Sequence, residues 1–174
     1  MKLLMAVSRN GYVAKGPVDD MTWTGPDDKA VFKLLTSTGD ILAASAQTVE
    51  QMPSTLEGRG QLYALSRDPR KGVQLEDLAP MAPNAWLLGG PTIAMYALRN
   101  GFVDRVFLSI VPAQIDVDQH PDAIEDQVRP YLEARGYRPG KSVWWNRSLR
   151  VTVGQVMVEC WTRDSALNEE AVRR

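Results

Sequence analysis

The sequence predicts an α/β domain with a central, largely parallel sheet, helices on both faces and an antiparallel edge near the C-terminus. Three observations carry that expectation. Short apolar runs recur at residues 3–7, 62–65, 85–88 and 105–111, as in strands buried on both faces. Segments with helical start and stop signals stand between them, the alternation that builds a parallel sheet. Two late stretches, residues 142–152 and 155–162, are separated at about Val153-Gly154 and read as a hairpin.

Each element follows from local chemistry. The first strand ends at Ser8-Arg9-Asn10-Gly11, a turn, and Tyr12-Val13-Ala14 reads extended. A polar loop through Gly16-Pro17 and Asp19-Asp20 leads to Met21-Thr22-Trp23. Thr24-Gly25-Pro26-Asp27-Asp28 is a helix start, with a cap, a proline for the first turn and acids for the positive end. Val31, Leu34 and Leu35 supply an inward stripe, and Gly39 ends the helix. A short strand at 40–43 and a short helix at 45–52 follow. The strand at 85–88 runs into Gly89-Gly90-Pro91-Thr92, and the next helix stops at Asn100-Gly101. A helix is expected over 124–135, and a polar tail over 164–174.

Composition narrows the function classes. The chain has 174 residues, an apolar fraction of 44% and a charged fraction of 24%, which suits one ordinary domain, expected over 1–163. The net charge of -1 gives no general reason to expect a nucleic-acid partner. With one cysteine, Cys160, and one histidine, His120, no internal disulfide and no Cys/His metal set is available. The apolar opening at residues 1–8 is too short to span a membrane and lacks a signal-peptide layout. The expectation is a cytoplasmic protein without a metal, without a membrane or nucleic-acid partner, and monomeric or homodimeric.

Gly89 and Gly90 lie between a buried strand and a helix, where missing side-chain bulk and free N–H groups suit a phosphate, or simply a tight turn. Neither Gly-x-Gly-x-x-Gly nor a complete Gly-x-x-x-x-Gly-Lys-Ser/Thr phosphate loop occurs, which disfavours Rossmann and P-loop classes. Asp27 and Asp28 both fall in a first helical turn beside apolar neighbours. Either carboxylate suits the amidine-like edge of a heterocycle, or caps the helix, and spacing alone does not choose between them. Trp23 and Phe32 suit stacking on a flat ligand, and equally suit a core. Arg59 and Arg67 flank the strand containing Tyr63 and suit carboxylate or phosphate groups.

The order of these motifs resembles the dihydrofolate reductase family over roughly residues 2–163. Met21-Thr22-Trp23 with Asp28 and Phe32 is similar to that family's loop methionine, tryptophan, pterin-binding acid and stacking phenylalanine. The resemblance selects Asp28 over Asp27. Leu56-Glu57-Gly58-Arg59 resembles the segment that holds the folate carboxylate. Leu65-Ser66-Arg67 resembles the one at the adenosine 2′-phosphate of NADPH, and Gly89-Gly90-Pro91-Thr92-Ile93 the one at its pyrophosphate. Ala6 and Ala14 resemble positions around the pterin and nicotinamide. Ser109 stands where a threonine anchors the pterin acid, and Asp118 resembles an acid that buttresses the mobile loop.

The resemblance implies a three-layer fold and an NADPH-dependent reduction of 7,8-dihydrofolate, with hydride transfer to C6 and protonation of N5. Met21, Trp23 and Asp28 would then be catalytic. Ala6, Phe32, Leu56, Arg59 and Ser109 would bind substrate, and Ala14, Thr48, Tyr96 and the Leu65 and Gly89 segments the cofactor. The nicotinamide is implied near Ala6, Ala14 and Tyr96.

Departures point elsewhere. Where the family has Gly-Arg-x-Thr, this chain has Ser45-Ala46-Gln47-Thr48, without the cofactor arginine. Glu57 replaces a proline, and Gly154-Gln155-Val156-Met157-Val158 resembles riboflavin-pathway reductase domains. The alternatives are therefore a reductase of a ribosylated aminopyrimidine or another small heterocycle, or a non-catalytic nucleotide-binding domain.

Overall fold

The computed structural model describes residues 1–37, 41–51, 60–139, 141–142, 147–148, 151–153 and 155–162. Strand β1 (Lys2–Ser8) and the short β2 (Tyr12–Ala14) are followed by a 3-10 turn at Thr22–Thr24 and helix α1 (Gly25–Thr36). Then come β3 (Leu42–Ser45), α2 (Ala46–Gln51), β4 (Leu62–Leu65), α3 (Leu75–Met81), β5 (Trp86–Leu88), α4 (Pro91–Arg99) and β6 (Arg105–Val111). The remainder is β7 (Ile124–Glu125), α5 (Val128–Ala134), β8 (Arg138–Pro139), β9 (Lys141–Ser142), β10 (Arg147–Ser148), β11 (Val151–Val153) and β12 (Val156–Thr162).

The main sheet has the order β11-β12-β6-β1-β5-β3-β4, with β8 also paired to β12. From β6 to β4 all pairings are parallel, whereas β12 runs antiparallel to β6 and β11 antiparallel to β12. The protein is thus α/β, mostly parallel, with an antiparallel C-terminal edge. Strand pleating divides the core. Leu3, Met5, Val7, Val106 and Leu108 pack with α3, α4 and α5 residues such as Leu78, Leu98 and Leu132. On the opposite face Leu4, Leu42, Ala44, Trp86 and Leu88 pack with Phe32 and Leu35 of α1 and Val49 of α2. No helix among the described residues is long and apolar enough to cross a membrane.

Several expectations change. Leu34 is 64% exposed while Val31 is 2% exposed, so it does not belong to the inward stripe. α1 meets the sheet through Val31, Phe32 and Leu35, and Leu34 lies about 100° around the helix from Leu35. The expected helix at 124–135 begins only at Val128. Ile124–Glu125 pairs with β2 instead, and Asp126 accepts the Val128 and Arg129 N–H groups as the cap. The expected strand at 142–152 is divided. Lys141–Ser142 pairs with Arg147–Ser148, and only Val151–Val153 joins β12. α3 has no counterpart in the expected elements. It is short and contains Pro80, yet Leu75, Leu78 and Ala79 form an i, i+3, i+4 stripe behind first-turn acids Glu76 and Asp77. Gly39 and the 164–174 tail lie outside the described residues.

Candidate functional site

β1 and β6 pair in register from Lys2↔Arg105 to Ser8↔Val111, which sets Ala6 beside Ser109 near the carboxyl ends of the sheet. Leu4 and Phe107, two residues back on the α1 face, pack in the core, but Ala6 and Ser109 are small. Asp28 comes in above them from the first turn of α1. The Ser109 hydroxyl donates to its Oδ1 at 2.5 Å. Burial pushes the Asp28 carboxyl above its ordinary value, and the hydrogen bond from Ser109 pulls back only part of that shift. Asp27 goes elsewhere, accepting the Gln155 N–H at 3.1 Å, so packing separates two acids that spacing leaves equivalent.

Trp23 and Met21 stand at the entrance to α1. Trp23 packs beside Val31, Val111, Val156 and Val158, and its indole N–H donates to Asp19 at 2.9 Å. Met21 has φ +55°, a left-handed conformation that costs an L side chain energy. Phe32 packs against Leu4 and Leu42, so both aromatics serve the core. Ala14 is buried at the end of β2. Asp118 does not reach the 15–22 loop through its backbone: it is exposed, and its N–H turns back to Asp116. Asp122 is the nearer acid, since a Cβ on Gly16 would lie 3.8 Å from the Asp122 Cβ.

A second group forms where β3 and β5 end. Ser45 Oγ lies 2.9 Å from Thr48 Oγ1 and accepts the Thr48 N–H, capping α2. Gly89 has φ +151°, and a Cβ there would meet Ile93 Cγ2 at 3.0 Å and Thr48 Oγ1 at 3.8 Å. Gly90 has an ordinary φ of -68° and precedes Pro91 at the start of α4, with Thr92 exposed beyond it. A Cβ on Gly90 would meet nothing within 4 Å, and no side chain caps the helix. Open space thus faces N–H groups at a positive helix end, an arrangement that suits phosphate oxygens.

Leu65 is buried at the end of β4, Ser66 Oγ accepts the Asp68 N–H, and Arg67 is exposed. Tyr96 does not join Ala6 and Ala14. It projects from the solvent side of α4 and donates to Glu76, close enough to Arg67 for that charge to act on it. The buried residues of that helix, Ala94, Met95, Ala97 and Leu98, occupy the other side. Leu56, Glu57 and Arg59 lie outside the described residues.

Sequence reading gave no site role to Asp19, Ser45, Glu76 or Asp122. Asp19 and Ser45 carry a local signal, a short polar side chain two or three residues before the N–H it accepts. Glu76 and Asp122 carry none, because their partners come from distant segments. The Cys160 thiol is buried and pushed up to about 11, which suits a packing role. The chain matches no model of a known protein family and no curated protein.

Proposed function

We propose that this chain is a nicotinamide-dependent reductase of the dihydrofolate reductase type, acting on a heterocycle with an amidine-like edge, with 7,8-dihydrofolate as the leading substrate. The observation that carries the reading is the half-buried Asp28 carboxylate, held by Ser109 beside Ala6 at the carboxyl end of a parallel sheet. Ligands of open α/β sheets bind at that end. A carboxylate in a poorly solvated cleft pairs strongly with two parallel N–H groups, which pterins and aminopyrimidines both present.

The roles of the residues follow from their places. Asp28 orients the ring and favours its protonated form, while Ser109 fixes the carboxyl direction. Ala6 leaves room for a flat ring. Ser45, Thr48, Gly89 and Gly90 fit a pyrophosphate through the open space before α4, and Arg67 fits a further phosphate on the Tyr96 side. NADPH, when bound, supplies the hydride that goes to C6, and water delivers the proton to N5. Asp28 acts through charge and position, since its carboxylate pairs with the ring edge while the proton comes from water.

The test is NADPH consumption with dihydrofolate by wild type and Asp28→Ala. A fall of about 100-fold or more in kcat/KM is expected for loss of a charge-assisted pair. Equal rates would remove Asp28 from the chemistry. Ala46, in place of the family's arginine at the start of α2, favours a second reading, a ribosylated aminopyrimidine as substrate. A competition between the two substrates on one preparation decides between them.

A further inference from the structure

Asp19 gathers three donors that no regular element would bring together. Its Oδ2 accepts the Lys15 N–H at 2.5 Å and the Trp23 indole N–H at 2.9 Å, and its Oδ1 accepts the Met21 N–H at 2.8 Å. Between these bonds the chain holds Met21 at φ +55°, the one non-glycine residue with positive φ among the described residues. Met21 is held from the other side as well, since its carbonyl accepts the Thr24 N–H and hydroxyl. The far side of the segment is tied to α2, where the Gln47 amide donates to the Pro17 carbonyl at 3.2 Å. A strained residue fixed by a charged hub marks a segment whose one arrangement matters.

We infer that Asp19 is a positioning residue for the Asp28 cleft, an acceptor-only hub that fixes Met21 and Trp23 at the cleft entrance and keeps the 15–23 segment in one arrangement. The inference rests on the reading that this cleft receives the substrate. Every partner of the Asp19 side chain is a donor, two backbone N–H groups and an indole N–H, so the chemistry requires a group that only accepts. An ionised carboxylate does that with both oxygens. Asparagine has the same shape but turns an NH2 group toward one set of donors, and so cannot replace it.

The test compares wild type, Asp19→Asn and Trp23→Phe by amide and indole hydrogen exchange and by steady-state kinetics with NADPH and dihydrofolate. The Trp23 indole signal is assigned by its absence in Trp23→Phe. In Asp19→Asn, exchange of that indole and of the Met21 amide is expected to rise about 10-fold or more, as for loss of a charged hydrogen bond. Amides of β1 and β6 should keep their protection. kcat/KM should fall about 10-fold, and adding Trp23→Phe to Asp19→Asn should cost less than Trp23→Phe alone, because the pair shares one contact.

Unchanged loop exchange in Asp19→Asn overturns the hub. So does faster exchange throughout β1 and β6, which would show a general loss of stability. Faster loop exchange with unaltered kcat/KM overturns its positioning role. Should wild type turn over neither dihydrofolate nor an aminopyrimidine, the substrate reading fails, and the exchange data still decide whether Asp19 holds the segment.

Discussion

β1 and β6 present two different surfaces from the same residues in the same register. Toward α3, α4 and α5 they show Leu3, Met5, Val7, Val106 and Leu108, every one nearly inaccessible to solvent. Toward α1 they begin in the same way, with Leu4 and Phe107, and Phe107 meets the Trp86 ring at 5.1 Å between centroids. They then shrink to Ala6, Ser8 and Ser109. The first surface is filled along its length. The second carries small side chains partway along, and there Asp28 enters, before Val111 packs again with Val31 of α1. Room for a polar group on an otherwise packed sheet thus needs no special element, only smaller side chains at three positions of the right parity.

The filled surface should be the most sensitive to truncation. Leu108 is 0% exposed, and Leu108→Ala is expected to cost about 2–5 kcal/mol, read from urea unfolding. A loss under about 1 kcal/mol would mean that this face can collapse around a cavity, and the contrast between the two surfaces would fall.

The cleft surface should respond in the opposite sense. Burial raises the Asp28 carboxyl in the folded chain above the ordinary 3.8 that it keeps when unfolded. Above the folded value the native state therefore carries a poorly solvated anion and is less stable for it. As pH falls through the folded value the native carboxyl takes up its proton first, and below about 3.8 the penalty is gone. Asp28→Asn is accordingly expected to raise stability at neutral pH, with a gain that shrinks as the pH falls below the folded value. Urea midpoints at a series of pH values check this. A variant less stable than wild type at neutral pH would show that the Ser109 bond outweighs burial.

These contrasts also explain what was legible in the sequence. β1, the start of α1 and the Gly89-Gly90 turn are written in neighbouring residues, through an apolar run, a first-turn proline and a glycine pair, although the expected Thr24 cap gives its hydroxyl to the Met21 carbonyl instead. The C-terminal region is not. Its alternating residues suggest one strand over 142–152, but strand register depends on a partner, and Lys141–Ser142 pairs with Arg147–Ser148 instead of β12. α3 is concealed by its seven residues and by Pro80, a poor helix residue tolerated near its end. At the site, Asp28 and Ser109 are 81 residues apart in the chain, so the sequence proposes each and only the sheet joins them. Tyr96 shows the converse. Its place in the sequence suggests the cleft, yet helical phase turns it away toward Glu76.

The smallest effect on stability is expected at Gly90, and it carries the most information about the cofactor. Its neighbour Gly89 is required by the fold, because φ +151° and a 3.0 Å approach to Ile93 oppose any side chain. Gly89→Ala should cost roughly 1–3 kcal/mol. Gly90 has no such constraint, with φ -68° and nothing within 4 Å of a Cβ, so Gly90→Ala should change stability by no more than about 0.5 kcal/mol. If the space before α4 receives a pyrophosphate, that methyl group occupies part of its seat, and NADPH affinity should fall about 10-fold, the effect of a poorly accommodated group worth about 1.4 kcal/mol. Titration of NADPH into the wild type and Gly90→Ala reads this directly, without any need for substrate. Equal affinities would mean that the open space is not where the phosphates lie. The contrast between two adjacent glycines would then report on the backbone alone.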